Sequence, residues 1–131
     1  MAQSSQPGDG GHRPAAGRAG FWRSFSFAGQ GVWRAVATQR NLRVQLLAAA
    51  AVIGAGVAVR ISAVDWACVA AAIGLVLTAE TMNSVVEAVV NLCTEEFHPL
   101  AKAAKDMAAG AVLIASVAAL GVGAAVFLPR I

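Results

Sequence analysis

Charge is scarce in this sequence. Only 13% of its 131 residues are Asp, Glu, Lys or Arg, about half the proportion of an ordinary soluble domain. Hydrophobic residues make up 58%, more than one small core can hide from water. A soluble enzyme and a disordered chain are both excluded on these grounds. Acids are almost missing from the front of the chain. Residues 1–43 hold one acid, Asp9, against Arg13, Arg18, Arg23, Arg34, Arg40 and Arg43, whereas all six remaining acids follow residue 43. A basic front before apolar segments points to the cytoplasmic face of a membrane. That face accounts for the arginines without nucleic acid, and no nucleic-acid partner is expected. Cysteine is rare as well. Cys68 and Cys93 have no metal-like spacing, and along one helix they stand about 37 Å apart, too far to pair. No apolar stretch of signal-peptide type follows the first charges. Nucleotide signatures of the G-x-x-x-x-G-K-[ST], G-x-G-x-x-G and D-F-G kinds are also missing.

What is present is a series of apolar segments. Residues 1–20, rich in Gly, Pro, Ser and Gln, read as a disordered tail ahead of one membrane domain at 21–131. Over about 21–43, Trp22, Phe25, Gly29, Trp33 and Val36 recur at helical spacing with arginines on other faces, the pattern of an amphipathic helix lying on a membrane surface. Three membrane helices are expected at about 44–60, 64–92 and 107–128, with a polar connection at 93–106. The expected fold is therefore all-α and integral to a membrane, a surface helix plus three transmembrane helices. The arginines place the N-terminus and the 93–106 connection in the cytoplasm.

The second membrane helix carries the chemistry. Glu80, Asn83, Glu87 and Asn91 fall within about 80° of one another at 100° per residue, so they form one stripe. A carboxylate in hydrocarbon costs several kcal/mol unless it is paired, hydrated or protonated, so such a stripe marks a site. A network that merely glues helices together is the competing reading. Glu95, Glu96, His98, Lys105 and Asp106 arrive at the cytoplasmic end of the same helix pair. Carboxylates, amides and a lysine at one water–lipid boundary suit Mg²⁺ and phosphate chemistry. A proton-coupled membrane protein would need the glutamates but has no evident use for Lys105 and Asp106.

Residues 80–91, ETMNSVVEAVVN, and residues 95–113, EEFHPLAKAAKDMAAGAVL, resemble the prokaryotic diacylglycerol kinase / undecaprenol kinase family. Its signature is close to E-x-x-N-[ST]-A-[IL]-E-x-[VL]-[VI]-D followed by H-x-L-x-x-x-A-K-D. The resemblance extends over about 21–128. It implies a homotrimer in the bacterial inner membrane that uses MgATP to phosphorylate a lipid alcohol. It implies Glu80 as general base, with Asn83 holding the reacting groups beside it. Glu87 and the residue at Gln39 would be metal ligands, and Phe27, Glu96, His98, Lys105 and Asp106 would contact ATP. Two positions depart from the family, which has glutamate at Gln39 and aspartate at Asn91; both changes remove a negative charge and bear on Mg²⁺ affinity. His98, Pro99 and the run 108–113 look more like the undecaprenol kinase branch than the diacylglycerol branch, which usually has H-E-L. Undecaprenol is thus the expected acceptor, with diacylglycerol the alternative and a catalytically weakened homologue a further one.

Overall fold

The computed structural model describes residues 18–131, with side chains from residue 20. It divides into one unit that ends at Gly31 and a second, Val32–Ile131. Four helices, α1 (Arg18–Thr38), α2 (Arg40–Ala58), α3 (Ala63–Cys93) and α4 (Pro99–Phe127), are followed by a short 3₁₀ turn at Leu128–Arg130. No strand occurs among the described residues. The all-α expectation holds, and three stretches are long and apolar enough to cross a membrane: Arg40–Ala58, Ala63–Cys93 and Pro99–Arg130. The tail expected at 1–20 lies mostly outside the described residues, and the chain is already helical from Arg18.

Two boundaries differ from the sequence reading. The surface helix stops at Thr38 rather than running to 43. The Thr38 hydroxyl turns back to the Arg34 carbonyl at 2.8 Å, a local bond that competes with helix continuation. Gln39 then takes extended dihedrals, φ −98° and ψ 113°, so Arg40 to Arg43 belong to α2. The last helix starts at Pro99, inside the expected 93–106 connection. Proline is well suited to a first helical turn, where its missing N–H costs nothing. His98 caps that turn, its Nδ1 accepting from the Leu100 N–H at 3.2 Å. The polar residues after Pro99 extend the helix instead of interrupting it.

α1 is the most amphipathic of the four helices. Its Phe21, Trp22, Phe25 and Phe27 are all exposed, and Phe21 stacks against Phe25 with ring centres 5.0 Å apart.

Within the second unit, α3 and α4 share the most extensive contact, and α2 packs against α3. Two polar contacts fix α3 and α4 as antiparallel neighbours. Arg130 donates to Asp65 at 2.5 Å, joining the end of α4 to the start of α3. Lys105 donates to Asn91 at 2.8 Å, joining the start of α4 to the end of α3. The apolar core lies toward the Asp65 end, where Ile61, Val69 and Val126 are buried with Trp66, Ile73 and Phe127 against them. Alanine and glycine at Ala48, Ala72 and Gly123 leave the seam of α2, α3 and α4 underfilled, as a groove of about 510 Å³.

The α2–α3 turn is locally well determined. Ile61 N–H bonds to the Gly56 carbonyl at 3.1 Å and Arg60 N–H to Val57 at 3.3 Å, the two bonds of a Schellman ending. Arg60 takes the left-handed position with φ 53°, where a side chain costs about 1–2 kcal/mol. Ser62 and Asp65 then cap α3 reciprocally. We expect Arg60→Gly to stabilise the fold by about 1 kcal/mol, read as a higher thermal midpoint in detergent. Ser62→Ala should destabilise the fold by about 1 kcal/mol and lower the midpoint. Equal melting of all three proteins would contradict this account of the turn.

Candidate functional site

The stripe on α3 survives as a physical feature. Glu80 and Asn83, 3% and 8% exposed, are the two buried polar residues among the described residues. Glu87 is half-buried and Asn91 exposed, so the stripe passes from the helix seam to the surface. Asn83 Nδ2 donates to Glu87 Oε1 at 3.3 Å, which fixes the amide with its nitrogen toward the carboxylate. Asn83 Oδ1 is then buried without a hydrogen-bond partner. The hydroxyls nearby do not serve these groups. Ser84 bonds to the Glu80 backbone carbonyl at 3.1 Å and Thr81 to that of Leu77 at 2.8 Å.

Beyond Asn91 a cleft of about 560 Å³ opens between the end of α3 and the start of α4. It gathers four of the expected nucleotide residues, Glu96, His98, Lys105 and Asp106, and adds Asn91 and Lys102 to its wall. The α3–α4 turn shapes its rim: the Thr94 hydroxyl accepts from the Glu96 N–H and donates to the Glu96 carbonyl, both at 3.1 Å. With His98 Nδ1 committed to the cap, the free ring position is Nε2, which carries the proton of the neutral ring and is left to donate. Lys102 pairs with Asp106 one turn further along α4. The sequence reading passed over Lys102, though its i,i+3 and i,i+4 spacings to Lys105 and Asp106 were the signal that could have found it.

The remaining expected residues are more dispersed. Gln39 is half-buried at the N-cap of α2, and its side chain makes no cap hydrogen bond, so the carboxamide is uncommitted to the helix. Phe27 is exposed on α1. No cluster of three His, Cys, Asp or Glu side chains occurs among the described residues. The oxygens of the stripe are nevertheless of the kind Mg²⁺ takes, carboxylate and carboxamide. The orphaned Asn83 Oδ1 beside Glu87 is a buried acceptor that such a cation, or a donor on a ligand, would satisfy.

Three helices long and apolar enough to cross a membrane, with a buried polar stripe and a lysine-bearing cleft at its end, define the class of integral membrane proteins with a polar site. The profile of the prokaryotic diacylglycerol kinase family matches residues 26–127, and the chain belongs to that family of membrane lipid kinases. It is 40% identical over 111 residues to the undecaprenol kinase of Bacillus subtilis (strain 168), covering 85% of this chain and 90% of that protein. It is 44% identical over 107 residues to the diacylglycerol kinase of Synechocystis sp., covering 81% of this chain and 61% of that one. A shorter match, 48% over 46 residues, joins it to the diacylglycerol kinase of Escherichia coli (strain K12), covering 35% and 38%.

A buried amide oxygen without a partner costs stability. If its place is functional, replacing it should cost turnover and not fold. Asn83→Leu, of similar size, is expected to melt at or above the wild-type temperature while turnover falls at least about tenfold. A drop in melting point instead would identify Asn83 as glue between helices.

Proposed function

We propose that this protein transfers the γ-phosphoryl group of MgATP to the hydroxyl of a membrane lipid alcohol, most readily undecaprenol. The single observation that carries the reading is the pairing of a buried carboxylate, Glu80, with a lysine-lined cleft at the end of the same helix. The undecaprenol preference rests on the coverage of the Bacillus relative, which matches nearly end to end. Diacylglycerol is the second reading, favoured by the name of the Synechocystis relative.

In this reading Glu80 takes the proton of the lipid hydroxyl as its oxygen attacks the γ-phosphorus. A carboxylate in contact with the hydroxyl suffices for such a transfer. Asn83 holds the reacting groups beside Glu80: its free Oδ1 can accept from a donor on a ligand, and the second hydrogen of its Nδ2 can donate to a phosphate or lipid oxygen. Lys105 meets the charge that develops on the transferred group and on ADP. Glu96, His98 and Asp106 position the nucleotide, with His98 donating from Nε2. Phe27 supplies an aromatic face. Glu87 and the Gln39 carbonyl would hold Mg²⁺, which would supply positive charge to offset that of the phosphates.

Orientation follows from the charges within the second unit. The start of α2, the end of α3 and the start of α4 share one side, with Arg34, Arg40, Arg43, Lys102 and Lys105, whereas Arg60 and Arg130 lie on the other. The richer side is the cytoplasmic one by the positive-inside rule. The cleft then opens toward cytoplasmic ATP, in the bacterial inner membrane. Large apolar side chains on the spanning helices, such as Leu47, Ile114 and Leu120, are exposed in one chain; lipid and two further copies in a homotrimer would cover them.

The test is direct. Purified protein with labelled ATP and Mg²⁺ should phosphorylate undecaprenol faster than diacylglycerol, and the active species in detergent should contain three copies. Glu80→Gln should keep fold and assembly but lose roughly 10²–10⁴-fold in rate, since an amide takes no proton. Near-normal turnover in that variant would remove Glu80 from the role of base. Gln39 offers a second check. One carboxylate, a neutral carbonyl and phosphates hold Mg²⁺ less tightly than two carboxylates do. Gln39→Glu should therefore lower the Mg²⁺ concentration giving half-maximal rate at saturating ATP; a requirement unchanged or raised would place Gln39 outside the metal shell.

A further inference from the structure

Lys102 lines the cleft and has no part in the reaction as described above. We propose that Lys102 is a second phosphate-binding lysine, which exchanges its ion pair with Asp106 for a phosphate oxygen of the incoming nucleotide. The proposal rests on the kinase reading of the cleft and adds a residue and an exchange to it.

Three observations carry it. Lys102 and Lys105 stand one helical turn apart on the cleft wall, close enough that two ammonium groups repel unless an anion lies between them. Lys105 is held from across the seam by the Asn91 carboxamide oxygen at 2.8 Å, a neutral acceptor that orients the ammonium without cancelling its charge. Glu95 and Glu96 line the same cleft, yet neither forms an ion pair with either lysine among the described residues. The wall therefore offers a fixed cation beside a movable one.

The Lys102–Asp106 pair is poorly built as a stabiliser. Its side chains are 61% and 62% exposed, and exposed pairs add little. The lysine precedes the acid, the weaker order on a helix, and it lies near the N-terminus of α4, where the helix dipole disfavours a cation. A polyphosphate with several negative charges competes well against one solvated carboxylate for such an ammonium. The exchange also releases the Asp106 carboxylate, which the resting structure occupies, for its own contact with the nucleotide. A merely solvated pair would predict no change in nucleotide binding when Lys102 is neutralised.

The experiment compares wild type, Lys102→Met, Lys102→Gln and Lys102→Arg as full chains in detergent with lipid acceptor and MgATP, with melting curves as the check on folding. Loss of the charge should raise the KM for ATP about tenfold, one charged contact, while kcat falls by no more than about twofold. Lys102→Arg should recover most of the affinity. Equilibrium binding should weaken for ATP and stay the same for AMP, which lacks the outer phosphates. A folded Lys102→Met or Lys102→Gln with wild-type KM and ATP affinity overturns the proposal and leaves the kinase reading standing. A wild type that binds neither ATP nor AMP overturns both.

Discussion

Everything about this chain is arranged around oxygen atoms held in a helix that must otherwise be apolar. α3 presents Glu80, Asn83, Glu87 and Asn91 on one face, and the first two are buried. Burial of a carboxyl or carboxamide without full pairing costs kcal/mol, not tenths. Inside the stripe the chain supplies one hydrogen bond, Asn83 to Glu87, and the neighbouring hydroxyls are turned back on their own helix. The stripe retains unsatisfied acceptor capacity where a metal-bound phosphate and a lipid hydroxyl are proposed to meet.

Such a helix needs support from elsewhere, and the support is placed at its far end. The Schellman ending of α2, the Ser62–Asp65 box and the Arg130–Asp65 contact all gather around the start of α3. Ile61, Val69 and Val126 bury their side chains there. Arg130 also bonds the Val126 carbonyl, so one guanidinium both finishes α4 and ties it to α3. With that end fixed, the antiparallel register brings Lys105 level with Asn91 at the opposite end of the pair, about 39 Å away at 1.5 Å per residue. Register set at one end thus positions the lysine at the other.

The parts of this design differed in how readily the sequence disclosed them. Spanning helices were legible because long apolar runs have few alternatives. The stripe was legible because four polar residues in an apolar segment fall on one face only if the segment is helical. The start of α4 was not, since residues 99–106 look like a loop by polarity, and the balance was tipped by the Pro99 and His98 cap. The break at Gln39 lies in that residue's extended dihedrals, a local backbone choice that composition does not reveal. Nor did the sequence reading connect Asn91 with Lys105. They lie 14 residues apart across a turn, and their meeting depends on the register of two packed helices.

The distribution of packing has a last implication. From Ser84 to Ile114 no residue of the chain is buried; Phe97 in the cleft wall is largely exposed, as are Leu92, Leu100 and Met107 on the helix ends that flank it. Those side chains would stabilise the fold if covered, yet the polar contacts there are few: Lys105 is held by Asn91, and the Lys102–Asp106 pair is exposed to solvent. In the proposed reading, a cleft that admits a nucleotide and releases ADP gains from a sparsely packed wall. In the proposed trimer the apolar rim is the surface available to neighbouring copies and to lipid. Completing the cleft from outside the single chain lets α3 keep its unsatisfied oxygens without a rigid wall built across them.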